Sequence, residues 1–182
     1  MKKFLCVISL AALLCFTFAC QNKAEKAELE RYRTQAKVEE QNKEIVKRFF
    51  EEFPNKGNIE IFNELCAPNY RYYFPSNNPK PMSREEEIEE EKMALGAIPN
   101  LNLRIEKLFA DGHTVIVWGL VTGTHQGEYQ GIPPTGNKIE VSNILIMSFK
   151  DGKIVELREE ADSLRMMQQL GMELKPKEAE KK

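Results

Sequence analysis

Apolar residues recur at helical spacing near residue 50. The members of this stripe are three and four residues apart, and they are Ile45, Val46, Phe49, Phe50 and Phe53. The spacing predicts a helix with one buried face that ends at Pro54 and Gly57. A shorter helix is predicted next, with Asn58 as its N-cap and Pro68 at its end.

Residues 70–97 carry signals for one strand and one further helix. Tyr70 to Phe74 is a short β-rich segment with aromatic side chains on both faces. Ser83-Arg84-Glu85-Glu86 has the spacing of a capping box, which predicts a helix that runs to about Gly96. We expect the cluster of glutamates from Glu85 to Glu91 to be a solvated helix face rather than a metal site.

The second half of the chain alternates apolar and polar residues. The segments that this alternation marks as strands are 101–105, 114–125, 139–149 and 154–161. Asp111-Gly112 and Asp151-Gly152 have the composition of hairpin turns, and a helix over 163–170 is closed by Gly171. Helices followed by an antiparallel meander predict an α+β fold.

The first twenty residues have the features of an export signal. Lys2 and Lys3 precede an apolar run from Phe4 to Phe18, which is too short for a stable membrane span. A small residue followed by Cys20 is similar to the lipobox of bacterial lipoproteins, and an acyl chain such as palmitate would then anchor Cys20 in the bilayer. Ordinary signal cleavage near the same position, with secretion, is the alternative.

Residue patterns at the two ends suggest the domain organisation. We predict a signal peptide over 1–19, a charged helical tether over 20–41, one domain over 42–172 and a polar tail over 173–182. The expected location is the bacterial cell envelope, on the extracytoplasmic side, and at the outer membrane if there are two membranes. Lipid anchorage through acylated Cys20 makes the bilayer a partner.

Composition excludes some classes of function. The chain has 182 residues, of which 30% are charged, and its formal net charge is only −2, so we do not expect a nucleic-acid partner. Once the signal has been removed, Cys66 is the only cysteine left in the domain, where an apolar helical face predicts a buried thiol. Two separated histidines without a spaced cysteine or acidic partner predict no metal site.

Several strings in this chain resemble the SnoaL-like polyketide cyclases, also called ester cyclases, of the nuclear-transport-factor-2-like (NTF2-like) superfamily. The strongest match runs from Gly123-Thr124-His125 through Pro133-Pro134-Thr135-Gly136 to Lys138, and Asp151-Gly152-Lys153-Ile154-Val155-Glu156 is similar to the end of the family pattern. The resemblance covers about residues 42–172. It implies an NTF2-like cone, in which about three N-terminal helices pack on the concave side of a strongly curved antiparallel sheet, and commonly a homodimer paired through that sheet.

The resemblance also implies a reaction. Family enzymes close a ring by an intramolecular aldol reaction of an ester-bearing polyketide, with no metal or organic cofactor. Their general acid–base aspartate falls on Asp162 here. Arg158 stands where the family usually has Trp, and Ser148 stands where the cyclases have His and relatives often have Arg; we expect both to line the pocket.

Each candidate residue has two interpretations. Asp162 directly precedes Ser163 and would also serve as the cap of a helix, and its parity along the strand places it with charged residues, opposite Leu157. His125 shares parity with core valines, so it is either a core histidine or a catalytic, ligand-contacting one. Tyr72 is expected to reach the pocket, and Tyr129 to lie at its mouth.

These observations predict a lipid-anchored protein that binds a small apolar ligand or substrate. The first hypothesis is a cyclase- or isomerase-like enzyme that uses Asp162 for acid–base chemistry on an apolar carbonyl compound. The second is a non-catalytic pocket for a hydrophobic or lipid-like ligand, with Arg158 paired to an anionic head group. A third is a structural module that pairs with a second copy through its sheet.

Overall fold

The structure, a computed structural model, describes the backbone of residues 2–173 and 175 and the side chains of residues 23–173 and 175. Contacts divide the chain into a unit that runs to Val38 and a unit that begins at Glu39. The elements in chain order are α1 (Lys2–Glu52), α2 (Glu60–Leu65), β1 (Cys66–Tyr73), α3 (Arg84–Ala97), β2 (Asn102–Asp111), β3 (Thr114–Thr124), β4 (Lys138–Lys150), β5 (Lys153–Ala161) and α4 (Ser163–Gln169).

Helix boundaries follow the capping signals with one exception. Ser83 Oγ accepts from Glu86 N, and the Glu86 carboxylate accepts from Ser83 N, which forms the predicted capping box of α3. The prediction for α2 is wrong at both ends: Ile59 occupies its N-cap without a side-chain hydrogen bond, and Pro68 lies inside β1. Pro68 is tolerated there because β1 is an edge strand.

The five strands form one mixed sheet in the order β1-β5-β4-β3-β2. Strands β2 to β5 are the predicted antiparallel meander. The first strand differs from the prediction of a wholly antiparallel sheet, because β1 pairs with β5 in parallel and places Tyr72 beside Leu157. The structure confirms the predicted α+β class.

The core of the second unit lies between the sheet and the helices. Strand β4 shows strict alternation, and its inward row consists of Ile139, Val141, Asn143, Leu145, Met147 and Phe149, all buried. Four of the five residues of the predicted α1 stripe are buried, and Ile45 packs against them from the edge of this core. Asn143 is therefore a polar residue in an otherwise apolar row, which makes its hydrogen bonds important to the site.

The predictions for the two ends of the chain fall largely on residues that the structure does not describe. The side chain of Cys20 lies outside the described residues, as does most of the predicted tail, so the signal, tether and tail boundaries stay predictions. Within the part of the chain that is described, none of the helices has both the length and the apolar character needed to cross a membrane.

Candidate active site

A cavity of about 190 Å³ lies between the inner face of the sheet and helices α1 and α3. Most of its wall is apolar. The aromatic members of the wall are Phe49, Phe50, Phe53, Tyr72, Phe74 and Tyr129. A mostly apolar cavity with a few polar groups is the usual form of a small-molecule site.

Glu159 is the polar group with the most defined geometry in this cavity. Asn143 donates from Nδ2 to Glu159 Oε1 over 2.8 Å, and the Tyr72 hydroxyl donates to Glu159 Oε2 over 2.7 Å. Each carboxyl oxygen therefore has one donor, and both donors are at least partly buried. Two fixed donors restrict the carboxyl group to one orientation, as an acid–base residue requires.

The sheet brings these three residues together from distant parts of the chain. Glu159 follows Leu157 by two positions on β5, so both side chains lie on the inner face. Asn143 is in the inner row of β4, which pairs with β5, and Tyr72 is on β1, which pairs with the other edge of β5. Glu159 thus lies between its two donors because β5 lies between their strands.

The environment of Glu159 favours its neutral form. Burial raises the pKa of the Glu159 carboxyl, and the hydrogen bonds from Asn143 and Tyr72 offset only part of that effect. Burial and the adjacent Glu159 charge also raise the pKa of the Tyr72 phenol. Tyr72 therefore remains a hydrogen-bond donor, while Glu159 is a stronger base than an exposed glutamate when it is ionised.

Gly119 on β3 leaves space for the Asn143 side chain. These two residues are directly paired across β3 and β4. A Cβ atom built on Gly119 would lie 2.5 Å from Asn143 Oδ1, which is closer than an ordinary contact allows. A larger residue at 119 would displace the amide that orients Glu159.

Helix α3 places two more carboxyl groups at the cavity. Glu87 and Glu91 are one helical turn apart and both line the cavity, with Glu87 only 7% exposed. Burial is the main cause that raises the pKa of Glu87 well above its usual value and that of Glu91 to about 7. The prediction that the Glu85–Glu91 cluster is a solvated face is therefore wrong for these two residues.

Comparison with known proteins now identifies the family. The sequence model of the SnoaL-like polyketide cyclases matches residues 44–170. The chain belongs to the SnoaL-like polyketide cyclase family. No curated protein sequence matches the chain at a significant level.

Solved structures agree with this assignment. A protein from Jannaschia sp. CCS1, named as a SnoaL-like polyketide cyclase, is 25% identical with a TM-score of 0.68, over 75% of this chain and 96% of its own. One from Acidithiobacillus ferrooxidans, named as a polyketide cyclase, is 30% identical with a TM-score of 0.65, over 72% and 94% of the two chains. IdmH from Streptomyces antibioticus, also named as a polyketide cyclase, is 25% identical with a TM-score of 0.64, over 72% and 99%.

In this structure Asp162 lies outside the cavity, which differs from our prediction. Asp162 is exposed, and its Oδ1 accepts from Arg165 N at 3.0 Å as the N-cap of α4. It does not line the cavity. The expectation of a pocket role for Asp162 is wrong because β5 ends at Ala161 and the chain turns there into α4. Glu159, three residues earlier, is the carboxyl group of β5 that lines the cavity.

Two other predicted pocket residues lie on the outer face of the sheet. Arg158 pairs with Glu156 at 2.7 Å and lies over the Tyr73 ring, 3.9 Å from its centroid. Ser148 pairs with Glu156 on the same face. Neither residue lines the cavity, because both alternate with inward-facing neighbours along their strands.

The tyrosines and His125 complete the set of predicted site residues. Tyr72 and Tyr129 both line the cavity. His125 is fully buried in the core of the SnoaL-like domain, where its Nδ1 lies 3.1 Å from Thr135 Oγ1, and it is not part of the cavity wall. Its Nε2 has no hydrogen-bond partner among the described residues.

Metal and thiol chemistry find no support in the described part of the domain. No group of three His, Cys, Asp or Glu side chains there has an arrangement that could hold a metal ion. Cys66 is buried, and burial raises the pKa of its thiol, so the reactive thiolate form is disfavoured. The titratable groups that line the cavity, apart from its tyrosines, are the carboxyl groups of Glu87, Glu90, Glu91 and Glu159.

Proposed function

We propose that this protein is a cyclase- or isomerase-type enzyme that uses Glu159 for acid–base chemistry on a small apolar carbonyl compound. The observation that carries the proposal is the Glu159 carboxyl group, held by Asn143 and Tyr72 in the wall of an apolar cavity. The family and its fold neighbours support this general type of reaction.

The proposed steps conserve protons and electrons. Ionised Glu159 removes a proton from the carbon next to the substrate carbonyl, and the electron pair of the broken C–H bond forms an enolate. In a cyclisation, the enolate carbon bonds to a second carbonyl carbon, and the resulting alkoxide takes the proton back from Glu159. In an isomerisation, the proton returns to a different carbon. The single proton of the Tyr72 hydroxyl stays in its hydrogen bond to Glu159 Oε2, so the proposed role of Tyr72 is to orient the carboxyl group.

Exchange of carbon-bound hydrogen tests the first step without knowledge of the natural substrate. We would follow the α-protons of propiophenone in D₂O by NMR in the presence of the purified chain. Glu159→Gln should slow the enzyme-dependent exchange by roughly a hundredfold or more, because glutamine has nearly the same size and shape as glutamate but cannot act as the base. Asp162→Asn is the matched control, since asparagine is an equally good N-cap.

Two results would contradict the proposal. One is exchange that survives in Glu159→Gln, and the other is exchange that is lost in Asp162→Asn to the same extent as in Glu159→Gln. A cavity that binds aryl ketones with no exchange at all would favour the second hypothesis, a non-catalytic ligand-binding lipoprotein. An anionic head group paired to Arg158 has no support in either case, since Arg158 is outside the cavity.

We further propose that the protein is anchored to the envelope through lipidated Cys20. The support is the sequence pattern alone: an apolar run, a small residue and then cysteine. Labelling of the full chain with radioactive palmitate in a bacterial host should mark the protein, and Cys20→Ala should abolish the label. Cys66→Ala is the control and should keep it. A membrane-free product with an unmodified N-terminus would instead indicate ordinary secretion.

We also propose a homodimer formed through the outer face of the sheet. Large exposed apolar side chains cluster there on adjacent strands, and they are Phe109, Ile116, Trp118, Ile144 and Ile146. Trp118 pairs with Ile144 across β3 and β4, so the patch is continuous and suits a self-complementary interface. Ile144→Glu should yield a monomer in analytical ultracentrifugation, whereas Leu164→Glu, at an exposed position on α4, should not. A monomeric wild type would refute this arrangement.

A further inference from the structure

The cavity contains buried carboxyl oxygens that no described residue satisfies. Glu87 Oε2 and Glu91 Oε1 are both buried, and neither has a hydrogen bond of ordinary geometry to a described residue. The buried Tyr70 hydroxyl lies near enough to Glu87 to offset part of the rise in the pKa of that carboxyl, whereas Glu91 has no such neighbour in the described part of the chain. Glu87 is more than nine-tenths buried and lines the cavity. A buried polar atom without a partner costs stability, so its presence beside a cavity points to a ligand that supplies the missing partner.

The charge of the wall restricts what that ligand is. Its ionisable residues, apart from tyrosines, are all acidic: Glu87, Glu90, Glu91 and Glu159. No lysine, arginine or histidine lines it among the described residues. An anionic ligand would be repelled in such a site, and the acidic groups do not converge in a way that suits a metal ion in the described part of the chain.

The apolar wall adds a second preference. Six aromatic rings line the cavity, and the rings of Tyr72 and Phe74 are parallel within 9° at a centroid distance of 6.3 Å. Aromatic faces attract organic cations as well as apolar groups. Carboxylates together with aromatic rings therefore match a ligand that has an apolar body and a positively charged amine.

We propose that the pocket takes an amine-bearing apolar substrate whose ammonium group binds to Glu87 and Glu91. This inference rests on the proposed function only in naming the substrate class, since Glu159 would act on the carbonyl part of the same molecule. Glu87 and Glu91 are one turn apart on α3, so one ammonium group with three donors can contact both.

The direction in which ligand affinity changes with pH distinguishes an ammonium ligand from a neutral one. The titratable groups of the cavity that interact electrostatically with Glu91 are Glu87 and Glu90 from α3, Glu159 from β5, Tyr72 from β1 and Tyr129 from the loop after β3. The pKa of Glu91 is about 7, so without a ligand this carboxyl group exchanges its proton near neutrality. An ammonium ligand favours the ionised form, and its affinity must rise with pH. A neutral ligand that accepts a hydrogen bond from a protonated carboxyl group must bind more weakly as pH rises.

A matched ligand series tests the proposal by isothermal titration calorimetry on the purified full chain. The probes are 3-phenylpropylamine, 3-phenylpropanol and 3-phenylpropionate, which differ only in the head group. We expect the amine to bind roughly tenfold or more tightly than the alcohol. We expect the carboxylate not to bind. The affinity for the amine should increase between about pH 6 and about pH 8, with protons released on binding.

Variants on α3 test whether Glu87 and Glu91 cause the preference for the amine. Glu87→Gln together with Glu91→Gln should remove the preference for the amine, and Glu91→Gln alone should remove most of its pH dependence. Glu89→Gln is the control, because Glu89 is exposed on the same helix, pairs with Lys92 and is not among the residues that line the cavity. If the double variant does not fold, the pH series on the wild type decides by its sign.

The outcomes separate this inference from the proposed reaction. Equal binding of amine and alcohol, or affinity for the amine that falls with pH, would overturn the inference and leave the exchange reaction of Glu159 intact. A strong preference for the amine in a chain that catalyses no exchange would overturn the reaction and support the inference.

Discussion

Substitution of Gly119 by alanine should disturb the site through Asn143. The added Cβ would lie 2.5 Å from Asn143 Oδ1, whereas ordinary contacts begin at 3.4 Å, so the amide must retreat by about 0.9 Å. Asn143 is 2% exposed and has little room to move. A shift of this size is enough to break its 2.8 Å hydrogen bond to Glu159.

The expected magnitude follows from two opposing effects. Leaving a buried polar group without its hydrogen bond costs about 1–3 kcal/mol, and replacement of glycine in a strand returns about 0.5–1 kcal/mol. The free energy of unfolding should therefore fall by about 1–2 kcal/mol, which corresponds to a decrease in Tm of about 4 °C for a domain of this size. The Asn143 hydrogen bond lowers the pKa of Glu159, so its loss should raise that pKa further. Since exchange requires ionised Glu159, the pH at which the exchange rate rises should then shift upward.

The assay compares two glycine-to-alanine variants. Gly96 lies in α3, and an added Cβ there meets no atom within 4 Å, so Gly96→Ala should raise Tm. Differential scanning calorimetry measures both variants, and the pH profile of propiophenone exchange reports on Glu159. Stabilisation of Gly119→Ala to the same extent as Gly96→Ala, together with a wild-type pH profile, would refute the positioning of Asn143 by Gly119.

Three further predictions concern other residues. Ser83→Ala should lower the free energy of unfolding by about 1 kcal/mol by removing the capping box of α3, whereas Ser163→Ala should change little in the same urea titration. Because the pKa of Glu91 is raised from 4.5 to about 7, its contribution to stability is complete below pH 4.5 and is lost as pH rises through 7. Urea titrations at several pH values should show the difference in unfolding free energy between wild type and Glu91→Gln changing over that pH range. A difference that does not vary with pH would contradict this prediction. The Cys66 thiol should resist iodoacetamide in the native chain and react after unfolding, as peptide mass spectrometry can show, and rapid native alkylation would disprove its burial.

Much of the fold was predictable because its signals are local. The two-residue period along β4 and β5 and the capping box at Ser83 identify elements without knowledge of their partners. The parallel pairing of β1 with β5 was not predictable, because nothing in the sequence near Tyr72 specifies the strand beside it. A cap also requires the local geometry, and Asn58 has a favourable side chain one position before the actual N-cap of α2.

At the candidate site, the alternation of residues along β5 and the resemblance to the family point to different carboxyl groups. The period of β5 places Glu159 on the same face as Leu157, and that signal alone would have found the cavity carboxyl group. Position matching to the family favoured Asp162 instead, which the structure shows as an exposed cap. Glu87 was missed because a run of acidic residues on a helix is usually solvated, and only the position of α3 beside the cavity buries it.

The pairing of the first strand with the last has a consequence for biosynthesis. Tyr72 and Leu157 are neighbours in the sheet although 85 positions separate them in the chain. A ribosome that has just finished β1 must add nearly the whole remaining domain before that strand acquires its partner. The hydrogen bond between Tyr72 and Glu159 forms only then, so an unfinished polypeptide lacks the contact that fixes Glu159 in the cavity wall.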